Sequence, residues 1–263
     1  MQDDAEKKGQ LTLFVVVAIV IALVMIISFS FVDVSQDTFI DPALRPAHDA
    51  VVSCVDEVTE QSLVDVGASG GYFTLPDGER VSEQSIPYYY YEHENLFPSR
   101  DMIAEELARY NEALLYFCIQ KAYSELGVDV VDGDIDVTVD ITPEDTVVFS
   151  VAYPFSVVSF NQSYYFGDGF IRTYDVRLYT MYTFMSEMIL LHEAEKRAIC
   201  VNCVSDLALQ HELYIDLWNA GDDVLFYVTD VNSLVQDKPY KFYFMIKPIK
   251  PMGGEFYDPF ENI

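Results

Sequence analysis

The sequence predicts an α+β fold: an N-terminal transmembrane helix, then helices packed on an antiparallel sheet. Three observations predict it. Leu11 to Val32, "LTLFVVVAIVIALVMIISFSFV", runs without a charged residue. Two later segments, 47–66 and 98–126, place apolar residues at helical spacing. From residue 134 the apolar period changes to two, as in antiparallel strands with one wet face.

As a helix, the uncharged run spans about 33 Å, enough for a hydrocarbon core of about 30 Å. It is longer than the apolar region of a cleaved secretory signal, about 7–15 residues, and "SFSFVDVSQ" offers no Ala-x-Ala cleavage site. Lys7 and Lys8 directly precede the run; Asp33, Asp37 and Asp41 follow it, with no Lys or Arg before Arg45. Positive charge stays inside, so residues 1–10 are expected in the cytoplasm and everything after residue 32 outside. The expected plan is a cytoplasmic N-terminus (1–10), a single membrane span (11–32), a linker (33–46), an extracytoplasmic α+β domain (47–247) and a Pro/Gly-rich tail (248–263).

The chain carries 43 Asp+Glu against 15 Lys+Arg, a formal net charge of −28, nearly all of it after the span. Such a surface repels nucleic acid and anionic headgroups, so nucleic acid is not an expected partner. It also repels itself in dilute buffer, and molar salt relieves this by shortening the screening length to about 3 Å. Yet 51% of residues are hydrophobic, so the chain is not disordered-like. A good core within an acidic, lysine-poor shell reads as halophilic; an ordinary acidic secreted domain is the alternative.

Residues 47–66 align Val51, Cys54, Val55, Val58 and Ser62 on one helical stripe, with Gly67 as the expected C-cap glycine. "GASGG" lacks the Lys-Ser/Thr and following helix of a phosphate loop. "GYFTL" and "IPYYYYE" read as two strands around a Pro-Asp-Gly turn. Ser99 is the expected N-cap of the clearest helix, whose apolar face reads Ile103, Leu107, Tyr110, Leu114, Phe117 and Cys118. "DIDVTVDI", "TVVFSVAY", "FSVVSF" and "GFIRTYDVRL" follow as strands. Helices are expected over 178–197 and 203–211, a hairpin in "LYIDLW–NAGDD–VLFYVTD", and a last strand in "PYKFYFMIK".

Cys54 and Cys118 lie on apolar helix faces, and outside the cell they are either disulfide-bonded or two buried thiols. Cys200-Val-Asn-Cys203 reads first as a local structural disulfide. A redox motif normally starts a helix after a strand, whereas this one follows a predicted helix. Zinc would need two more ligands, from His192, His211 or the distant cysteines. "DGDID" (132–136) has Val137 and Pro143 where a calcium loop needs Gly and Glu, so it reads as a solvated strand face. "HEAEK" lacks the second histidine of a zinc-protease helix. His93, between Glu92 and Glu94, is a conceivable acid–base cluster but more simply a solvated histidine. Asn161-Gln-Ser163 is a glycosylation sequon. No catalytic, cofactor or metal site is expected.

Tyr88, Tyr89, Tyr90 and Tyr91 stand in a row after Pro87. Strand alternation puts Tyr88 and Tyr90 on one face and Tyr89 and Tyr91 on the other. One pair is expected over the helices. The other, outer pair is either further sheet packing or part of a patch for a partner or glycan.

"KKGQLTLFVVVAIV" (7–20) resembles the start of many membrane proteins of small-genome archaea, and also the class III signal peptide of archaeal type IV pilins. The pilin resemblance implies cleavage between Gly9 and Gln10. It departs from the family at Phe14, where pilins carry a glutamate, and at Pro42 and Pro46, which interrupt the long pilin helix. Gly70–Tyr72, Ile86–Tyr90, Cys200 and Cys203 resemble a region of uncharacterised single-pass archaeal proteins; that resemblance implies no activity.

The leading expectation is a cell-surface binding or assembly protein, anchored in the lipid bilayer through residues 11–32, that meets another surface protein or a glycan. A pilin-like filament subunit is the first alternative. An extracytoplasmic enzyme using the Cys200/Cys203 pair or the His93 cluster is the second.

Overall fold

The computed structural model describes residues 41–76, 80–159, 162–195 and 199–249. The predicted span, the pilin-like site around Gly9 and Phe14, most of the linker, the Asp77-Gly78 turn, Asn161 of the sequon and the tail from residue 250 lie outside the described residues. Among the described residues, no helix is long and apolar enough to cross a membrane.

The described chain is α+β. Four helices, α1 (Arg45–Ala68), α2 (Arg100–Leu126), α3 (Leu178–Glu195) and α4 (Val201–Gln210), accompany eleven strands. The strands are β1 (Tyr88–Tyr91), β2 (Glu94–Asn95), β3 (Asp129–Asp132), β4 (Asp136–Ile141), β5 (Val147–Ala152), β6 (Phe155–Ser159), β7 (Gln162–Phe166), β8 (Phe170–Tyr174), β9 (Tyr214–Ala220), β10 (Asp223–Val235) and β11 (Lys238–Lys247). They form one five-stranded sheet, β2-β1-β11-β10-β9, and two three-stranded sheets, β3-β6-β7 and β4-β5-β8. Every pairing is antiparallel except β1 with β11.

α1 begins two residues before the expected domain boundary, with Pro46 in its first turn, where a missing N–H costs nothing. Its expected stripe of Val51, Cys54, Val55, Val58 and Ser62 is buried throughout. Gly67 is not the C-cap. It lies inside the helix, where a Cβ would come 2.7 Å from the Lys241 carbonyl oxygen, so its absent side chain lets α1 press against β11. Ser69 caps the helix, and Gly70 and Gly71 then turn the chain at positive φ.

Ser99 caps α2, its side chain accepting the Met102 N–H. The buried stripe departs from the expected one. From Asn111 it advances in steps of four, through Leu115, Ile119 and Tyr123, which rotates Leu114 to the margin and leaves Phe117 67% exposed. "GYFTL" is not a strand. Buried Glu106 instead accepts the Phe73 and Thr74 N–H groups at 2.9 and 3.0 Å, pinning this segment to α2. β1 therefore pairs with β11 and β2 rather than with residues 72–76. In β4 the predicted alternation holds: Val137 and Ile141 are buried, and Asp136, Thr138 and Asp140 are exposed.

Candidate functional site

The five-stranded sheet has two unlike faces, and register assigns residues to them. Phe226 lies opposite Phe244, and Leu225 opposite both Trp218 and Met245. The first row faces the core. Phe226 stacks on Phe244 with ring centres 5.1 Å apart, and α3 covers this face through Met188 and His192. The second row belongs to the opposite face, together with Tyr88, which pairs with Met245.

The tyrosine run divides differently from strict alternation. The β1–β11 register shifts between Tyr88 and Tyr90, a bulge that places Tyr89 and Tyr90 on the same side. Tyr89 stacks on Phe244 at 4.6 Å and donates its hydroxyl to the Gly70 carbonyl at 2.9 Å. The Tyr90 ring meets His192 edge-on at 4.8 Å. Tyr88 and Tyr91 share the opposite face, with rings 5.1 Å apart. Tyr88 is nevertheless buried, beneath Ile86, Leu96, Tyr91 and Tyr227, and donates its hydroxyl to Asp223 at 2.7 Å. Burial and then the Asp223 carboxylate push that hydroxyl's pKa well up. Of the four tyrosines only Tyr91 keeps appreciable solvent exposure, and Lys247 lies over its ring and donates to its hydroxyl at 3.0 Å. The Tyr91 hydrogen bond in turn raises the Lys247 pKa, so this cation stays charged.

On the Tyr88 side of the sheet, three cross-strand rows line up: Tyr214–Thr229–Lys241, Asp216–Tyr227–Tyr243 and Trp218–Leu225–Met245–Tyr88. Tyr214 is 63% exposed, and Trp218, the chain's one tryptophan, is 67% exposed. Tyr227 and Tyr243 contact each other edge-to-face at 4.8 Å and are half-buried. Beside this face, Gln236, Lys238, Lys241 and Tyr243 of the β10–β11 hairpin and Val64 and Ala68 of α1 line a groove of about 330 Å³. An aromatic floor flanked by lysines is thus presented by a chain whose net charge is −28. Comparisons with protein-family models, curated proteins and solved structures found no match. Trp218 and Tyr214 went unnoticed as site residues in the sequence. The alternation Tyr214, Asp216, Trp218, placing large aromatics on the same strand face as an aspartate, was the available signal.

Both cysteine pairs are disulfides. Cys54–Cys118 joins α1 to α2, across 64 residues of sequence. Closing a loop of that length stabilises by about 4 kcal/mol in the chain-entropy model. Cys200–Cys203 is local, but it does begin a helix: α4 starts at Val201, two residues earlier than predicted, with Cys200 as its N-cap. His93 is exposed between exposed Glu92 and Glu94; it lines a shallow pocket of about 240 Å³ with Glu92 and Lys247 and is held to neither glutamate. His192, by contrast, is buried, and burial lowers its pKa. Asp132 bonds to Gln120 on the surface of β3. Among the described residues, no group of three or more His, Cys, Asp or Glu is arranged to hold a metal ion.

Buried Asp230 is a further site that sequence reading missed. It accepts the Arg177 guanidinium at 3.0 Å and the Ser233 hydroxyl, while the Ser233 oxygen accepts the Arg177 N–H at 2.8 Å. This network stands where β10 breaks register with β11, between Asp230 and Leu234, and it fastens the start of α3 to the sheet. Its role is architectural, because every polar group in it faces another protein group.

Proposed function

We propose that the chain is a membrane-anchored cell-surface binding or assembly protein of a salt-adapted archaeon, and that it meets its partner through the open face of the five-stranded sheet. The exposure of Trp218 and Tyr214 carries this reading. Folding leaves a large aromatic side chain uncovered at a cost, and rigid aromatics of this kind are the usual anchors of contact surfaces. Tyr227 and Tyr243 continue the apolar floor, with Lys241 and Asp216 on the same face and Lys247 paired with Glu92 at its margin. A surface protein or a glycan that stacks on the aromatics and meets these mixed charges suits such a face. The uncharged run at residues 11–32 supports the anchor, and Lys7 and Lys8 support an outward-facing domain.

A photo-crosslinking residue at position 218 tests the reading in intact cells at native salt. Phe117, equally exposed but on α2, is the control position. A discrete crosslinked product from position 218 and none from position 117 is expected. Equal, diffuse labelling from both positions would refute a docking face on this sheet.

A further inference from the structure

The Cys200–Cys203 disulfide sits in surroundings that a passive staple does not need. Cys200 caps α4, its sulfur accepting the Cys203 N–H at 3.3 Å. One first-turn N–H and the positive end of a ten-residue helix therefore meet this sulfur. A second observation comes from a different element. His192 of α3 is only 6% exposed, and its Nδ1 has no hydrogen-bond partner. His192 and Cys200 line one apolar cavity, closed otherwise by Met188, Val204, Phe226 and Ile246 among others. The cavity has about 10 Å³ of room, about one water at most, so a small-molecule substrate does not enter it.

These features bear on the two redox states differently. A disulfide sulfur is a weak hydrogen-bond acceptor, so His192 Nδ1 stays unsatisfied while the pair is oxidised. Reduction leaves Cys200, the cysteine that shares the cavity with His192, as a thiolate that accepts from an Nδ1–H of the neutral imidazole, and burial keeps this imidazole neutral by lowering its pKa. The same thiolate lies at the N-terminus of α4, where the helix end stabilises it. Both effects favour the reduced pair, which makes the disulfide an oxidant.

We infer that Cys200–Cys203 is a redox-active disulfide that oxidises a dithiol in an exported polypeptide, with His192 as a positioning residue for the reduced pair. A substrate thiolate attacks the Cys200 sulfur. The Cys200–Cys203 bond breaks, and its electron pair goes to the Cys203 sulfur, which takes up a proton. The second substrate thiol gives its proton to solvent and attacks the substrate sulfur of the mixed disulfide. That bond breaks, and Cys200 leaves as the thiolate held at the helix end. The substrate gains a disulfide and loses two electrons to the pair, which a second disulfide compound re-oxidises by the reverse exchange. A polypeptide suits the surface beside the sulfurs, where Val201 and Leu209, two turns apart on α4, are 53% and 73% exposed. Cys54, in the other disulfide, is buried between helices.

The test equilibrates the full chain, in detergent at molar salt, with graded ratios of reduced to oxidised glutathione. Alkylation and peptide mass mapping then read each cysteine pair. Cys200–Cys203 is expected to be half-reduced at a thiol ratio at least tenfold below that for Cys54–Cys118, with the far-UV circular dichroism unchanged. Cys203→Ser should trap a mixed disulfide with a disulfide-bonded peptide, the Cys200 thiolate displacing one peptide sulfur as a thiol, and Cys200→Ser should not. His192→Phe should raise the ratio needed severalfold, and His192→Gln, which keeps a hydrogen-bonding group, should restore part of the shift. If a variant fails to fold, the wild-type titration decides alone. Equal reducibility of the two pairs, or loss of the fold when Cys200–Cys203 is reduced, would overturn the inference.

Discussion

On the helix-covered face of the five-stranded sheet, Tyr89, Phe226 and Phe244 have no exposed surface; on the opposite face, Tyr214 and Trp218 stand about two-thirds exposed. Both faces are built from large aromatics on the same strands. The difference lies in what each face meets. On the covered side α3 and the Gly70–Gly71 turn complete the packing, and the Tyr89 hydroxyl finds a carbonyl there. On the open side, packing reaches only as far as the small cluster under Ile86, Leu96 and Tyr91. Residue type alone therefore does not separate core from contact surface. The cover supplied by elements distant in sequence does.

Truncations on the covered face sharpen the comparison most. Tyr89→Ala or Phe244→Ala should each cost about 3–5 kcal/mol, seen as a large fall in thermal midpoint at fixed molar salt. A loss under about 1 kcal/mol would mean that this face is not the core. Replacing Cys54 and Cys118 by serine should come next, at about 4 kcal/mol or somewhat less, since it frees a long loop without opening the aromatic stack. An unchanged midpoint would show that the α1–α2 contact does not depend on its crosslink.

The covered face should also respond to acid through His192. Burial holds its folded pKa below the ordinary histidine value of about 6.5, so the unfolded state binds the proton more readily. The stability this contributes is fully present above about 6.5 and is lost as pH falls from there toward the folded value. Midpoints measured down that range should fall less steeply in His192→Phe than in the wild type; identical slopes would contradict a buried neutral histidine.

Salt should separate the two parts of the account. The acidic shell predicts a midpoint that falls as KCl is diluted from about 3 M to 0.1 M. A flat or rising midpoint would remove the halophilic reading and leave the sheet comparison standing. The smallest effect belongs to the open face: Trp218→Ala and Tyr214→Ala should each alter stability by about 0.5 kcal/mol or less. A larger loss from either would make that residue a packing element.

Much of this architecture is legible in the sequence. The α1 stripe, the Ser99 cap, the alternation in β4 and the β9–β10 hairpin all rest on local chemistry that the chain carries with it. What escaped depends on distant partners. Gly67 looks like a helix terminator until β11 is seen pressing on it. Phe117 sits at an apolar helical position but rotates outward because the buried stripe drifts by steps of four. The tyrosine run was expected to split as 88/90 against 89/91, and one bulge made it 88/91 against 89/90. The Cys200–Cys203 pair follows α3 in sequence, as read, but it also opens α4, which starts two residues before its expected position. For the candidate site the sequence pointed to the tyrosine run, of which folding leaves only Tyr91 appreciably exposed. The better-exposed Trp218 and Tyr214 were hidden because nothing local in β9 says which of its faces stays uncovered.

The most direct test of the open-face claim is saturation binding of the full chain, reconstituted in vesicles at molar salt, to envelope fragments of its own cells. The wild type is compared with a Trp218→Ala/Tyr214→Ala variant and with a Phe117→Ala/Tyr165→Ala variant, which removes two equally exposed aromatics elsewhere. The account predicts at least a tenfold loss of affinity, about 1.4 kcal/mol, for the first variant and none for the second. Binding that survives the first variant, or that the second removes instead, would contradict it.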